Sequence, residues 1–135
     1  MAKQLALHRD IAEVARATAW MEGIARQSAW SDALIFRLRL CLEEAISNII
    51  RHGHGASTGE ILLSLAEQDE RVTVCVEDES DAFDPTQQPS PKLPSTLAEA
   101  TVGGFGIRLM RRYATTMSHQ RVGARNRLVL VFDRI

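Results

Sequence analysis

Leu42-Glu43-Glu44-Ala45-Ile46-Ser47-Asn48-Ile49-Ile50-Arg51-His52-Gly53 sets an acid and an amide four residues apart inside a strongly helical pattern. At about 100° per residue, Glu44, Asn48 and His52 fall in one row. The apolar stripe of the same helix is Leu34, Leu38, Leu42, Ala45 and Ile49, so the row runs along its edge, at the rim of a core where a pocket can form. A carboxylate there can orient water or take a proton. An amide oxygen one turn away can join the shell of a hard cation, and together they suit a magnesium-bound nucleotide. By itself the pair also reads as the solvated edge of an amphipathic helix.

Working outward, Ser31 or Asp32 can cap this helix, and Gly53 and Gly55 stop it. Before it, Asp10-x-x-Glu13 resembles a capping box opening a helix that carries Ile11, Val14, Met21 and Ile24 on one stripe and ends near Gln27. A short strand over Gln4 to His8 precedes that helix. After the glycines, Ile61, Leu63 and Leu65 alternate, then Val72, Val74 and Val76, with the polar Glu67 to Glu70 between them as a turn. The second strand of this hairpin delivers Asp78 at its C-terminal end. Periodicity then vanishes from Glu79 to Val102, and all four prolines, Pro85, Pro89, Pro91 and Pro94, fall in that stretch. Thr96-x-x-Glu99 can cap a short helical turn within it, but a loop this long in a compact domain points to a lid or binding loop. Gly103-Gly104-Phe105-Gly106 ends it and leads into a third helix with Ile107, Leu109, Met110, Tyr113 and Met117. Strands near Ser118 to Val122 and Arg127 to Asp133, joined at Gly123-Ala124-Arg125-Asn126, close the chain.

The expected architecture is α+β: a two-layer sandwich in which a mixed, mostly antiparallel sheet carries three helices on one face. Length predicts one domain over residues 1–135, with a lid segment at 79–106. The chain is 45% hydrophobic and 24% charged, with a formal net charge of −1, so no basic excess points to nucleic acid. Cys41 and Cys75 each lie in an apolar run, which suits buried thiols in a reducing compartment. The N-terminal residues lack a signal-peptide core and no run approaches the length of a membrane span, so a cytoplasmic location without membrane association is expected.

Glycines at 103, 104 and 106 before a helix permit close backbone approach, and free N–H groups at a helix start attract phosphate oxygens; the same glycines can serve as a flexible entry to the helix. Arg108, Arg111 and Arg112 place positive charge in what read as the first turns, where the helix dipole gains nothing from it. A phosphate ligand accounts for that placement, and for Arg111 and Arg112 so does a solvated helix face. Asp78 can accept a hydrogen bond from an exocyclic amine such as that of adenine, or form a turn. His52-x-His54 lacks a third ligand at a spacing useful for a metal.

In this order the pieces resemble the histidine-kinase-like ATPase superfamily, also called the GHKL or Bergerat fold, and within it the anti-sigma factor serine/threonine kinases. Glu44-x-x-x-Asn48 with His52 and Gly53 is similar to the N-box. Asp78 followed by Phe83-Asp84-Pro85 is similar to the acid-glycine box and its trailing F-D-P. Gly103-Gly104-Phe105-Gly106-Ile107-Arg108-Leu109-Met110 is similar to the glycine-rich box that closes the ATP lid, and Asn126-Arg127-Leu128 is also family-like. The resemblance spans nearly the whole chain.

That resemblance implies ATP and Mg2+ as cofactors, held between helix and lid. Glu44 would be the polarising base, Asn48 the magnesium ligand and Asp78 the adenine-amine acceptor. Gly103, Gly104 and Gly106 would supply backbone contacts, and Arg108 a phosphate contact. Arg51 and His52 would either face the nucleotide or terminate the helix. The partner implied is a small STAS-type anti-sigma-factor antagonist phosphorylated on serine or threonine, with a sigma factor as a second partner and a homodimer as the assembly. One position departs: where the family has Asp-x-Gly, this chain has Asp78-Glu79-Ser80, and Glu79 and Asp81 add negative charge nearby. A non-catalytic, ATP-sensing or nucleotide-free binding module is therefore the alternative. The catalytic domain of a two-component histidine kinase is disfavoured, since no phosphoacceptor hairpin fits within these residues.

Overall fold

The computed structural model describes residues 2–52, 59–82, 84, 86 and 104–134. Among the described residues there are five strands, β1 (Ala2–Leu7), β2 (Ile61–Gln68), β3 (Arg71–Asp78), β4 (Thr116–Val122) and β5 (Arg125–Asp133), with apolar alternation clearest in β2, β3 and β5. They form one sheet in the order β1-β2-β3-β5-β4. Register places Leu5 opposite Leu63, Leu63 opposite Val76, and Val76 opposite Leu128, so one face is continuously apolar. Three helices cover it: α1 (Glu13–Gln27), α2 (Asp32–His52) and α3 (Gly104–Tyr113). Met21 from α1, Leu34, Leu38, Leu42 and Ile46 from α2, and Met110 from α3 meet the strand residues in a single core. An Arg39–Glu22 ion pair ties α2 to α1 on the outside.

The α+β two-layer architecture agrees with the sequence pattern, but details differ. Every strand pair among the described residues is antiparallel, so the sheet is not mixed. The β2–β3 turn is only Asp69-Glu70, with Asp69 at φ 52, and pairing continues through Glu67 and Gln68, which had read as turn residues. Likewise β4 and β5 join at Gly123-Ala124 alone, because Gly123 adopts φ 59 and lets Arg125 and Asn126 enter the ladder. Asp10 and Glu13 do not form the reciprocal box: Asp10 accepts from the Ala12 N–H, while Glu13 accepts from the His8 N–H. Ile11 lies before α1 and is 51% exposed; Ala17, Met21 and Ala25 form the buried stripe, with Val14 and Ile24 only partly buried. Gly53 and Gly55, expected to stop α2, lie outside the described residues.

Ser31 does cap α2, accepting from the Leu34 N–H at 3.1 Å. The end of α1 is a Schellman closure in which the Trp30 N–H donates to Ala25 O and the Ala29 N–H to Arg26 O, with Ala29 held at φ 55. Both cysteines are free and buried; burial pushes the Cys41 thiol up to about 12 and raises that of Cys75, which Arg127 opposes. Among the described residues, no helix is long and apolar enough to cross a membrane.

Candidate functional site

The edge row of α2 meets the start of α3. A Cβ built on Gly106 would stand 2.7 Å from Oε2 of Glu44 and 3.3 Å from its Cβ, so only glycine lets the α3 backbone lie directly against this carboxylate. Two stretches far apart in sequence, the E-x-x-x-N helix and the glycine-rich start of α3, are thereby brought into contact. Burial raises the pKa of Glu44; Arg51 pulls it down and Glu43 pushes it up. A carboxylate made more basic in this way is a better proton acceptor near neutral pH. Asn48, one turn on, is half-buried, and its amide oxygen is a hard donor of the kind that joins phosphate oxygens around magnesium.

Glu44 also lines a cleft. It measures about 490 Å³ and opens between the approach to α1 and α2, walled by Ile11, Val14 and Thr18 opposite Glu43, Glu44, Ser47 and Arg51.

Asp78 ends β3 on the core face and is 5% exposed. Its Oδ2 accepts the backbone N–H of Ser80 at 3.0 Å and lies 3.5 Å from Nη2 of Arg9. Arg9 also donates to the Ser80 hydroxyl at 2.7 Å and to the carbonyl of Gly59 at 3.2 Å. Both contacts of Asp78 thus engage Oδ2, leaving Oδ1 as the oxygen they do not use. Ser80, placed where a glycine was expected, is buried and engaged through both its N–H and its hydroxyl.

The chain beyond Ser80 is stapled to the last hairpin. Asn126, opposite Asp78 in the ladder, donates through Nδ2 to the carbonyls of Ser80 and Asp81. Arg121 also donates to Ser80 O. His119 bridges Oδ1 of Asn126 at 3.3 Å and Oδ2 of Asp84 at 3.7 Å. Arg111 donates to the carbonyl of Thr86 and so ties α3 to the same segment. These contacts tie Ser80, Asp81, Asp84 and Thr86 to the last hairpin and α3.

The structure therefore brings Glu44 and Gly106 together and places Asn48 on the same helix. Arg108 and Arg51 are exposed. Arg111 and Arg112 fall in the last turn of α3 rather than its first turns, where the helix dipole favours cations without any ligand. Gly103, Phe83, Pro85 and residues 87–102, expected to form a lid with a short helical turn at Thr96 to Glu99, lie outside the described residues, as does the side chain of His52; Gly104 begins α3. Arg9, His119 and Arg121 did not stand out in the sequence. Arg9 follows a short strand with no local motif, and only the strand register reveals its neighbours.

Residues 7–132 match the family of the histidine kinase-like ATPase domain. The chain is 41% identical over 115 residues to the serine/threonine-protein kinase BtrW of Bordetella bronchiseptica, covering 82% of this chain and 79% of that protein. It is 30% identical over 107 residues to the serine-protein kinase RsbW of Bacillus subtilis, covering 76% of this chain and 65% of RsbW, just under two thirds of that relative's length. Its fold is shared with the crystal structure of the RsbU and RsbW domains of Rv1364c from Mycobacterium tuberculosis, at a TM-score of 0.73 and 12% identity, over 98% of this chain and 32% of that one. The histidine kinase domain of the Erythrobacter litoralis EL346 blue-light activated histidine kinase matches at a TM-score of 0.54 and 17% identity, over 91% of this chain and 60% of that one.

Proposed function

The chain belongs to the histidine kinase-like ATPase family, in its anti-sigma serine/threonine kinase branch, and from that premise we propose that it uses Mg-ATP to phosphorylate a serine or threonine of a small STAS-type antagonist protein. The observation that carries this reading is the contact of Glu44 with Gly106, which joins a basic carboxylate to the glycine-rich start of α3. Glu44 accepts the proton of the attacking hydroxyl as its oxygen bonds to the γ-phosphorus and the bond to ADP breaks. The cleft that Glu44 lines together with Ile11, Val14 and Thr18 admits the substrate side chain. Asp78 receives the adenine amine, and Gly103, Gly104, Gly106 and Arg108 serve the phosphates. Asn48 would hold the magnesium, which would supply charge neutralisation for the phosphates. The protein acts in the cytoplasm as a homodimer that alternates between a sigma factor and the antagonist.

The experiment is calorimetric titration with ATP, with and without magnesium, followed by labelled-ATP transfer to antagonists encoded nearby. Magnesium-dependent binding and transfer are expected; absence of nucleotide binding at millimolar concentration rejects the ATP site. One feature favours the second reading, a stoichiometric binder without phosphotransfer: a buried Ser80 stands where the family has glycine. Partner binding without transfer by the wild type would select it.

A further inference from the structure

Arg9 is bound at a place where a ligand-binding acid and the departure from the family's glycine come together. It lies just beyond β1, whose pairing sets Leu7 opposite Ile61, so its guanidinium reaches Gly59 O at the entry to β2. From there it crosses to the end of β3. Its side chain is only 14% exposed, and a guanidinium so enclosed needs close acceptors to offset its lost hydration. The closest is the Ser80 hydroxyl at 2.7 Å, while Oδ2 of Asp78 stands at 3.5 Å. Ser80 is therefore more than a tolerated substitute for glycine: its hydroxyl is the shortest anchor of the cation beside Asp78.

We propose that Arg9 and Ser80 form a base-positioning pair, in which the Ser80 hydroxyl holds Arg9 against Oδ2 of Asp78 so that Oδ1 is presented to the exocyclic amine of a purine. The inference rests on the proposed ATP site. The Ser80 N–H holds Oδ2 from the backbone side and Arg9 holds it from the side chain, so the carboxylate plane is fixed by two donors. A fixed acceptor rewards a base that donates at that point and gives nothing to one that cannot. Arg9 and Ser80 are then positioning residues that act through Asp78 and set selectivity for the amine.

ATP and inosine triphosphate distinguish this role from a structural one, because inosine carries a carbonyl where adenine carries the amine. Calorimetric affinities for both nucleotides are to be measured on wild type, Ser80→Ala, Arg9→Gln and the double variant. Wild type should prefer ATP by about tenfold or more, the scale of one well-made hydrogen bond to a charged group. Ser80→Ala and Arg9→Gln should each lose most of that preference by weakening ATP alone, and the double variant should be no worse than Arg9→Gln. Parallel loss for both nucleotides, or no change for either, overturns the pair's positioning role, as does a wild type that binds both equally. If Arg9→Gln fails to fold, Ser80→Ala carries the same comparison. A wild type that binds neither nucleotide refutes the ATP site itself, a result separate from any change among the variants.

Discussion

At opposite ends of the β2–β3 hairpin stand two carboxylates, each with an arginine partner, and their oxygens are used differently. Glu67, near the turn, fills both: Oε1 accepts from Arg134 at 2.6 Å and Oε2 from the Trp30 indole at 3.1 Å. It fastens the α1–α2 connection and the end of β5 to the sheet. Asp78, at the other end and far more buried, places both of its contacts on Oδ2. Glu67 therefore has no oxygen outside its contacts with the protein's own donors, whereas Asp78 keeps Oδ1 outside its two, as the proposed adenine acceptor requires. Glu44 belongs with Asp78. It is held in a partly desolvated place that makes it more basic, a condition that costs stability and suits proton transfer.

The largest expected effect breaks the ligand end alone. Glu44→Gln should cut phosphotransfer by about 10²- to 10⁴-fold while nucleotide binding persists. Because the folded pKa of Glu44 is raised, its ionisation penalises the fold increasingly as pH rises from the ordinary carboxylate range through the raised value. Glu44→Gln should therefore be no less stable than wild type at neutral pH in thermal melts. The acid limb of the wild-type rate profile should lie above the ordinary carboxylate range. Glu43→Gln should move it down and Arg51→Gln up, in keeping with the two charges that act on Glu44. Equal phosphotransfer by wild type and Glu44→Gln would remove the base from this position.

Gly106→Ala is the next. Its new methyl would meet the carboxylate end of Glu44 and, at 3.3 Å, its Cβ, so the carboxylate should swing away and the α2–α3 contact widen by a few tenths of an ångström. Turnover should fall by up to about 10²-fold, the cost of a small misplacement of a reacting group. Stability should change by less than about 1 kcal/mol, since alanine favours the helix. A large loss of stability with turnover intact would mean that the contact is only packing.

At the turn end the expected sign reverses. Glu67→Gln should lower stability by about 1 kcal/mol in denaturant titration, reduced from the value for a buried charged pair because the acid is partly exposed. ATP affinity should be unchanged, and any loss of it would erase the distinction between the two ends. Smallest is Ala29→Gly, which relieves a left-handed alanine at the end of α1 and should raise stability by up to about 1 kcal/mol without touching turnover.

The elements were legible because their signals are local. Leu34 to Ile49 keep helical spacing, the valines of β3 alternate, and Ser31 caps α2 as its position suggests. The turns were misjudged because a single positive φ at Asp69 or Gly123 makes two residues sufficient where the polar runs imply four. Of the candidate site, Glu44 and Gly106 could be named from their motifs, and their contact could be anticipated only through the resemblance. Arg9 had no such route. Its meaning depends on Gly59, Asp78 and Ser80, and strand register alone assembles these. Arg111 and Arg112 were misplaced for the opposite reason: the pattern suggested a helix running to Met117, but α3 stops at Tyr113, and that puts both in its final turn.

The strand order also has a consequence for the path by which the chain folds. The hairpins β2–β3 and β4–β5 join neighbours in sequence across two-residue turns, so each closes a short loop and can form early. The seams β1–β2 and β3–β5 close over about 50 residues each, and the greater entropy of closing them places them late. The corner that holds Asp78 takes Arg9 from the first seam and Asn126 from the second. It is complete only when both have zipped. A nucleotide that needs this corner would then bind the finished molecule and discriminate against partly folded chains, making the last steps of folding a checkpoint on activity.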